Sequence, residues 1–237
     1  MKNIIFLISF SVFLLSSCGS DDNSNLDHAK ALYKAATKAQ DPLTQRVILN
    51  ELILLDSSNI SYKDSLSRIY IKDGNYSGGL ALAEEVIESG TANNKLLELT
   101  GVAYQQVQKL SKASSIFNQL FNSTKDYRYS YQVAAISYEQ GNKLEFDSLC
   151  AQLLSASMAD TMAARTLIDF PGPITGSPQL IPLEAATLFL KGKYAFDKQQ
   201  DLKTAIAYYQ QAIGKFESFE MPYYYLQEIE RMNLGRR

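Results

Sequence analysis

Lys30, Lys34 and Lys38 recur every four residues, so a helix over this stretch carries three ammonium groups along one stripe. Arg68 and Lys72 repeat that spacing one segment later. Cations gathered in this way suit a carboxylate or an acidic peptide, because charge-assisted hydrogen bonds are about twice as strong as neutral ones. The competing reading is a solvated face whose lysines serve solubility. Other reactive chemistry is sparse. His28 is the single histidine and stands 122 residues from Cys150, which lies among Phe146, Leu149, Leu153 and Leu154 and reads as a small buried hydrophobe. No triad, zinc spacing or glycine-rich phosphate loop occurs. Glu84, Glu85 and Glu88 cluster at helical spacing and read as a solvent-facing set, although a carboxylate pair for glycoside hydrolysis stays open on sequence grounds. The expectation is a protein that is not an enzyme and holds no cofactor and no metal.

Composition narrows the partners further. With 23 basic and 25 acidic residues the formal net charge is -2, the opposite of the basic footprint of a nucleic-acid binder. The chain has two cysteines, Cys18 and Cys150.

The elements that must position these side chains follow from a repeat. Shifting the sequence by 34 residues aligns Tyr70, Tyr104 and Tyr138, with Ala36 in the earlier copy. Leu52, Val86, Leu120 and Leu154 form a second column, and Leu49, Ala83, Phe117 and Ala151 a third. Four units, 26–59, 60–93, 94–127 and 128–161, run on without a gap. Each divides into two amphipathic stretches about a turn such as Asp73-Gly74-Asn75, where Gly74 and Asn75 tolerate positive φ. Asp56-Ser57-Ser58-Asn59 and Asn93-Asn94 supply turn and N-cap residues between units. A related pattern returns at 186–219, with Ala205, Tyr209 and Ala212 in the columns of Ala113, Phe117 and Leu120. Tyr223, Leu226 and Ile229 begin a last helix that ends among arginines, as a capping element should.

Helix, turn and helix at this period resemble the tetratricopeptide repeat. Leu97, Gly101, Tyr104, Ala113, Phe117 and Leu120 fit its pattern in the third unit, and Leu66, Tyr70, Gly79, Ala83 and Val86 fit it in the second. The departures are the absence of Trp, the missing closing Pro, and Gln45 and Asp147 where small residues are expected. The resemblance implies an all-α, right-handed solenoid whose first helices line a groove that holds a partner's peptide. Carried over residue by residue, the groove positions are Lys30, Lys34, Lys38, Arg68, Lys72, Val102, Gln105, Gln106, Gln132, Ile136 and Glu139. The asparagines of the family's carboxylate clamp are missing from those positions. Tyr127, Tyr129 and Tyr131, with Tyr223, Tyr224 and Tyr225, exceed what packing needs and leave a glycan or peptide platform open.

At the N-terminus, Lys2 precedes an apolar run from Ile4 to Leu15, the grammar of a secretory signal. Twelve residues are too few for a membrane span, which needs about 20. Leu15-Ser16-Ser17-Cys18 resembles a lipobox, implying cleavage after Ser17 and acylation of Cys18. Residues 18–25 then read as a lipidated cysteine and flexible tether whose acidic pair resembles the surface-export signal of Bacteroidetes-type lipoproteins. The insert at 162–185 carries Pro171, Pro173, Pro178 and Pro182, so 169–182 is expected to be irregular, either an arm over the groove or a plain connector. Together these features point to a lipid-anchored scaffold that binds protein partners in the bacterial envelope, at the outer membrane and facing either the periplasm or the cell surface. A subunit of an outer-membrane assembly or secretion complex, and a glycan-binding surface lipoprotein, are the alternatives.

Overall fold

The computed structural model describes residues 21–234. The expected signal peptide at 1–17 and the expected lipid site at Cys18 lie outside the described residues. The chain divides into two compact units, residues 1–96 and 97–237.

The first unit holds α1 (Asp21–Lys38), α2 (Pro42–Leu55), α3 (Ile60–Lys72) and α4 (Tyr76–Glu88). Helix α1 begins within the segment expected to be a tether, so residues 21–25 are helical. Turn chemistry fixes the other starts. Asp41 accepts from the amides of Leu43 and Thr44, both at 3.1 Å, with Pro42 opening α2. Asn59 and Asn75 cap α3 and α4 in the same manner. The turns between helices use left-handed residues at Gln40 and Gly74, 34 residues apart, and Gln108 continues that column in the second unit. Leu49, Leu52 and Leu66 are fully buried with Ala29, Ala36 and Ile48, and Ala83, Val86 and Leu96 form a second small cluster.

The second unit contains most of α5 (Asn94–Gln106), then α6 (Leu110–Thr124), α7 (Tyr127–Gln140), α8 (Lys143–Ala159), the short α9 (Thr161–Arg165), α10 (Leu183–Asp197), α11 (Leu202–Lys215) and α12 (Glu220–Leu234). Phe146, Leu153, Ile181, Phe189, Tyr209 and Phe219 lie at the centre of its core. Consecutive helices pack on one another, and α10 also reaches back to α7 and α8.

The proline-rich insert differs from expectation. It forms an antiparallel hairpin, β1 (Leu167–Phe170) and β2 (Gln179–Pro182), with Ile168 opposite Ile181. Both isoleucines are buried while Leu167, Asp169 and Leu180 face out, the alternation of a strand with one covered face. Pro171, Pro173 and Pro178 fall in the connecting loop, and Pro182 ends its strand, where a missing donor is tolerated.

Candidate functional site

Two of the basic stripe's members are engaged within the first unit. Lys30 lies 3.7 Å from Asp27. Arg68 meets Asp64 at 2.9 Å and donates to the Asn93 side chain at 2.9 Å. Asn93 in turn accepts from the Leu96 amide, so Arg68 ties α3 to the turn that opens α5. Arg68, expected to line the groove, is held within the first unit by these contacts. Lys34, Lys38 and Lys72 are exposed.

In the second unit, Val102 and Gln106 are exposed on α5 and Gln105 is half-buried. Gln132 on α7 is half-buried too, and Glu139 is exposed. Burial pushes the Glu139 carboxyl above its usual value despite the opposing charge of Lys198. Ile136 is fully buried, which corrects its assignment as a groove residue. The reason is that α7 is packed against α6, α8 and α10, so its buried face takes in Tyr129, Tyr131, Val133, Ala134, Ile136 and Ser137. For the same reason Tyr129 and Tyr131 belong to the core and offer no open platform. Tyr127 donates to Asp160 at 3.0 Å. Tyr223 and Tyr224 alone of the six stand exposed.

A cavity of about 130 Å³ opens where α5, α6, α7 and β1 meet. Val102 and Glu98 come from α5, Phe117 from α6, Arg128, Tyr129 and Gln132 from α7, and Ile168 and Asp169 from the hairpin. The helical repeat thus supplies the floor and the insert supplies one wall. Val102 and Gln132, both expected at groove positions, line this one cavity. Ile168 and Asp169 escaped sequence reasoning, although the alternation Leu167-Ile168-Asp169-Phe170 was the available signal.

The hairpin is held in place by a carboxylate. Glu220, at the start of α12, accepts from the amides of Ile174 at 2.7 Å and Thr175 at 3.0 Å. Gln179 donates to the Ser218 carbonyl at 2.8 Å and accepts from the Glu220 amide at 3.0 Å. Burial pushes the Glu220 carboxyl up, but the hydroxyl and amide of Thr175 and the amide of Ile174 outweigh it and hold the group below its usual value of 4.5. A depressed value in the fold means that the stabilisation is present above the unfolded pKa and is lost as pH falls through the folded one. In Glu220→Gln, amide exchange at Ile174 and Thr175 should therefore be faster than in the unaltered chain at neutral pH. The two rates should converge in acid, and equal rates at neutral pH would show that the carboxylate does not secure the loop.

A second constellation joins α7, α10 and α12. The Tyr138 hydroxyl donates to Asp197, and the Lys193 ammonium lies 3.0 Å from Asp197 and 2.9 Å from the Tyr225 hydroxyl. Lys193 also sits 5.6 Å from the Tyr138 ring centre and 5.0 Å from that of Tyr225. Burial first, and then the bond to Asp197, push the Tyr138 hydroxyl up to about 12. Burial alone would lower the Lys193 ammonium, but its bonds to Tyr225 and Asp197 raise it. These charges bind each other and fasten the last helix. The Cys150 thiol is fully buried and pushed up to about 12 by that burial, the property of a packing residue rather than a nucleophile.

No protein-family model and no curated protein matches the chain. Solved structures do. YrrB, a tetratricopeptide-repeat protein with an unusual peptide-binding site, superposes with a TM-score of 0.61 at 12% identity, over 87% of this chain and 94% of that one. Two structures of MamA give TM-scores of 0.57 and 0.55 at 12% and 16% identity, covering 82% and 81% of this chain and 93% and 97% of theirs. Paired helices at a 34-residue period, with Gly101 set against the Phe117 ring and Ala113 fully buried, agree with that likeness. The chain has the all-α tetratricopeptide-repeat fold.

Proposed function

We propose that the chain is a lipid-anchored interaction scaffold of the bacterial envelope, held at the outer membrane through Cys18. An extended segment of a partner protein binds across the face made by α5, α7 and β1. The observation that carries the reading is the cavity lined by Val102 and Gln132, which lie on the first helices that the tetratricopeptide-repeat resemblance implies as ligand-facing. The anchor rests on the order Leu15-Ser16-Ser17-Cys18 behind an apolar run. Among the described residues no helix is long and apolar enough to cross a membrane.

Affinity purification of the full chain from detergent-solubilised envelopes should recover a stoichiometric protein. Its recovery should fall when Val102→Glu and Gln132→Arg are combined, with thermal unfolding changed little because Val102 is exposed and Gln132 only half-buried. Cys18→Ala should leave the precursor uncleaved and without acyl label. Recovery indifferent to the groove substitutions, or a mature N-terminus other than Cys18, contradicts the corresponding half of the proposal.

A further inference from the structure

The cavity under the hairpin has a size, a lining and a charge that together select one kind of occupant. At about 130 Å³ it is well below the roughly 300–1,000 Å³ of sites that enclose a small molecule, so it accommodates a single side chain. Val102 and Ile168 give it aliphatic walls, and the stacked rings of Phe117 and Tyr129, with centres 6.2 Å apart, form its floor. Glu98 and Asp169 stand at its edge, both exposed, and among the described residues neither carboxylate has an ion-pair partner. The one cation in the lining, Arg128, is engaged by Asp126, with Nε at 2.9 and 3.2 Å from the two carboxylate oxygens and an Nη at 2.6 Å. Glu98 also acts on the Arg128 charge, so the lining sets two carboxylates against one guanidinium already engaged by Asp126, and its net charge is negative. The Tyr129 hydroxyl registers that field, since burial and then the charge of Glu98 push it above its usual value.

We propose that this cavity is a socket for one lysine or arginine side chain of the partner's extended segment, its stem lying against Val102 and Ile168 and its cationic head between Glu98 and Asp169. The inference rests on the partner-binding reading above and specifies the chemistry it recognises. Long cationic side chains bury an apolar stem while keeping the head wet, which is the division this socket offers. An acidic side chain entering here meets a lining of net negative charge, and a purely apolar one does nothing to neutralise it.

The test uses the full chain in detergent micelles with isotope-labelled valine and isoleucine methyls, and blocked pentapeptides Gly-Ser-X-Ser-Gly in which X is lysine, arginine, norleucine or glutamate. Lysine and arginine peptides should shift the methyl signals of Val102 and Ile168, whereas the norleucine and glutamate peptides should not. Combining Glu98→Gln with Asp169→Asn should weaken the lysine peptide about tenfold, as the loss of two partly screened charge contacts requires. Because both residues are exposed, thermal unfolding should be unchanged. A norleucine peptide that shifts the methyls as strongly as lysine, binding that survives the double substitution, or no response to any peptide overturns the socket. Failure of the socket with an envelope partner still recovered leaves the scaffold reading intact. A socket that binds lysine with no partner recovered supports the socket and counts against the scaffold.

Discussion

Phe189→Ala is expected to lower the unfolding free energy of the second unit by about 3–5 kcal/mol, the usual cost of removing a buried aromatic ring. Phe189 is 2% exposed, and four other rings surround it: Phe170 at 5.5 Å, Tyr209 at 5.6 Å, Phe219 at 5.3 Å and Tyr225 at 5.6 Å between centres. Those neighbours come from the hairpin, α11, α12 and the turn before it, so they cannot close on the void together. Phe170 leans on Phe189 and Phe219, and the hairpin should loosen along with the core. Urea unfolding followed by circular dichroism measures the loss. A change below about 1 kcal/mol would show that the aromatic cluster does not hold this unit together.

Gly192→Val should be comparably damaging for the opposite reason. A Cβ at Gly192 would lie 2.6 Å from Cε1 and 2.7 Å from Cδ1 of Tyr209, a ring with no exposed surface and so no direction in which to retreat. Overpacking of this kind costs about 3 kcal/mol, and a β-branched side chain gains little in helix propensity to offset it. Gly214, on the neighbouring α11, has nothing within 4 Å of a built Cβ. Gly214→Ala should therefore stabilise by about 0.5–1 kcal/mol through the lower entropy of the unfolded chain. Opposite signs at the two glycines, read from thermal melts of the two variants, distinguish close packing from backbone freedom. Equal signs would contradict the packing of α10 on α11.

The repeat made most of the helical part of the fold legible because its columns carry the same packing demand, except in the fourth unit, where Cys150 and Leu153 are buried in place of Ala151 and Leu154. Leu66, Ala83, Val86, Phe117, Leu120, Ala205 and Tyr209 all lie where the period puts them, in the interior. The hairpin was hidden because its strands are four residues each, too short for alternation to outweigh four prolines. Residues 21–25 were read as a tether on polarity alone, yet they belong to α1. The site was half legible for the same reasons. Val102 and Gln132 lie on first helices of the repeat, whereas Ile168 and Asp169 reach them only by a tertiary fold-back, and Ile136 is fully buried on a helix that packs against α6, α8 and α10.

The most direct test of a partner-binding face is photo-crosslinking in the intact envelope, with benzoylphenylalanine placed singly at Val102, at Gln132, or at Gln119, an exposed position on α6. The account predicts one discrete protein adduct from Val102 and Gln132 and none from Gln119. Adducts of equal yield from all three positions, or no adduct from Val102 and Gln132, would contradict it.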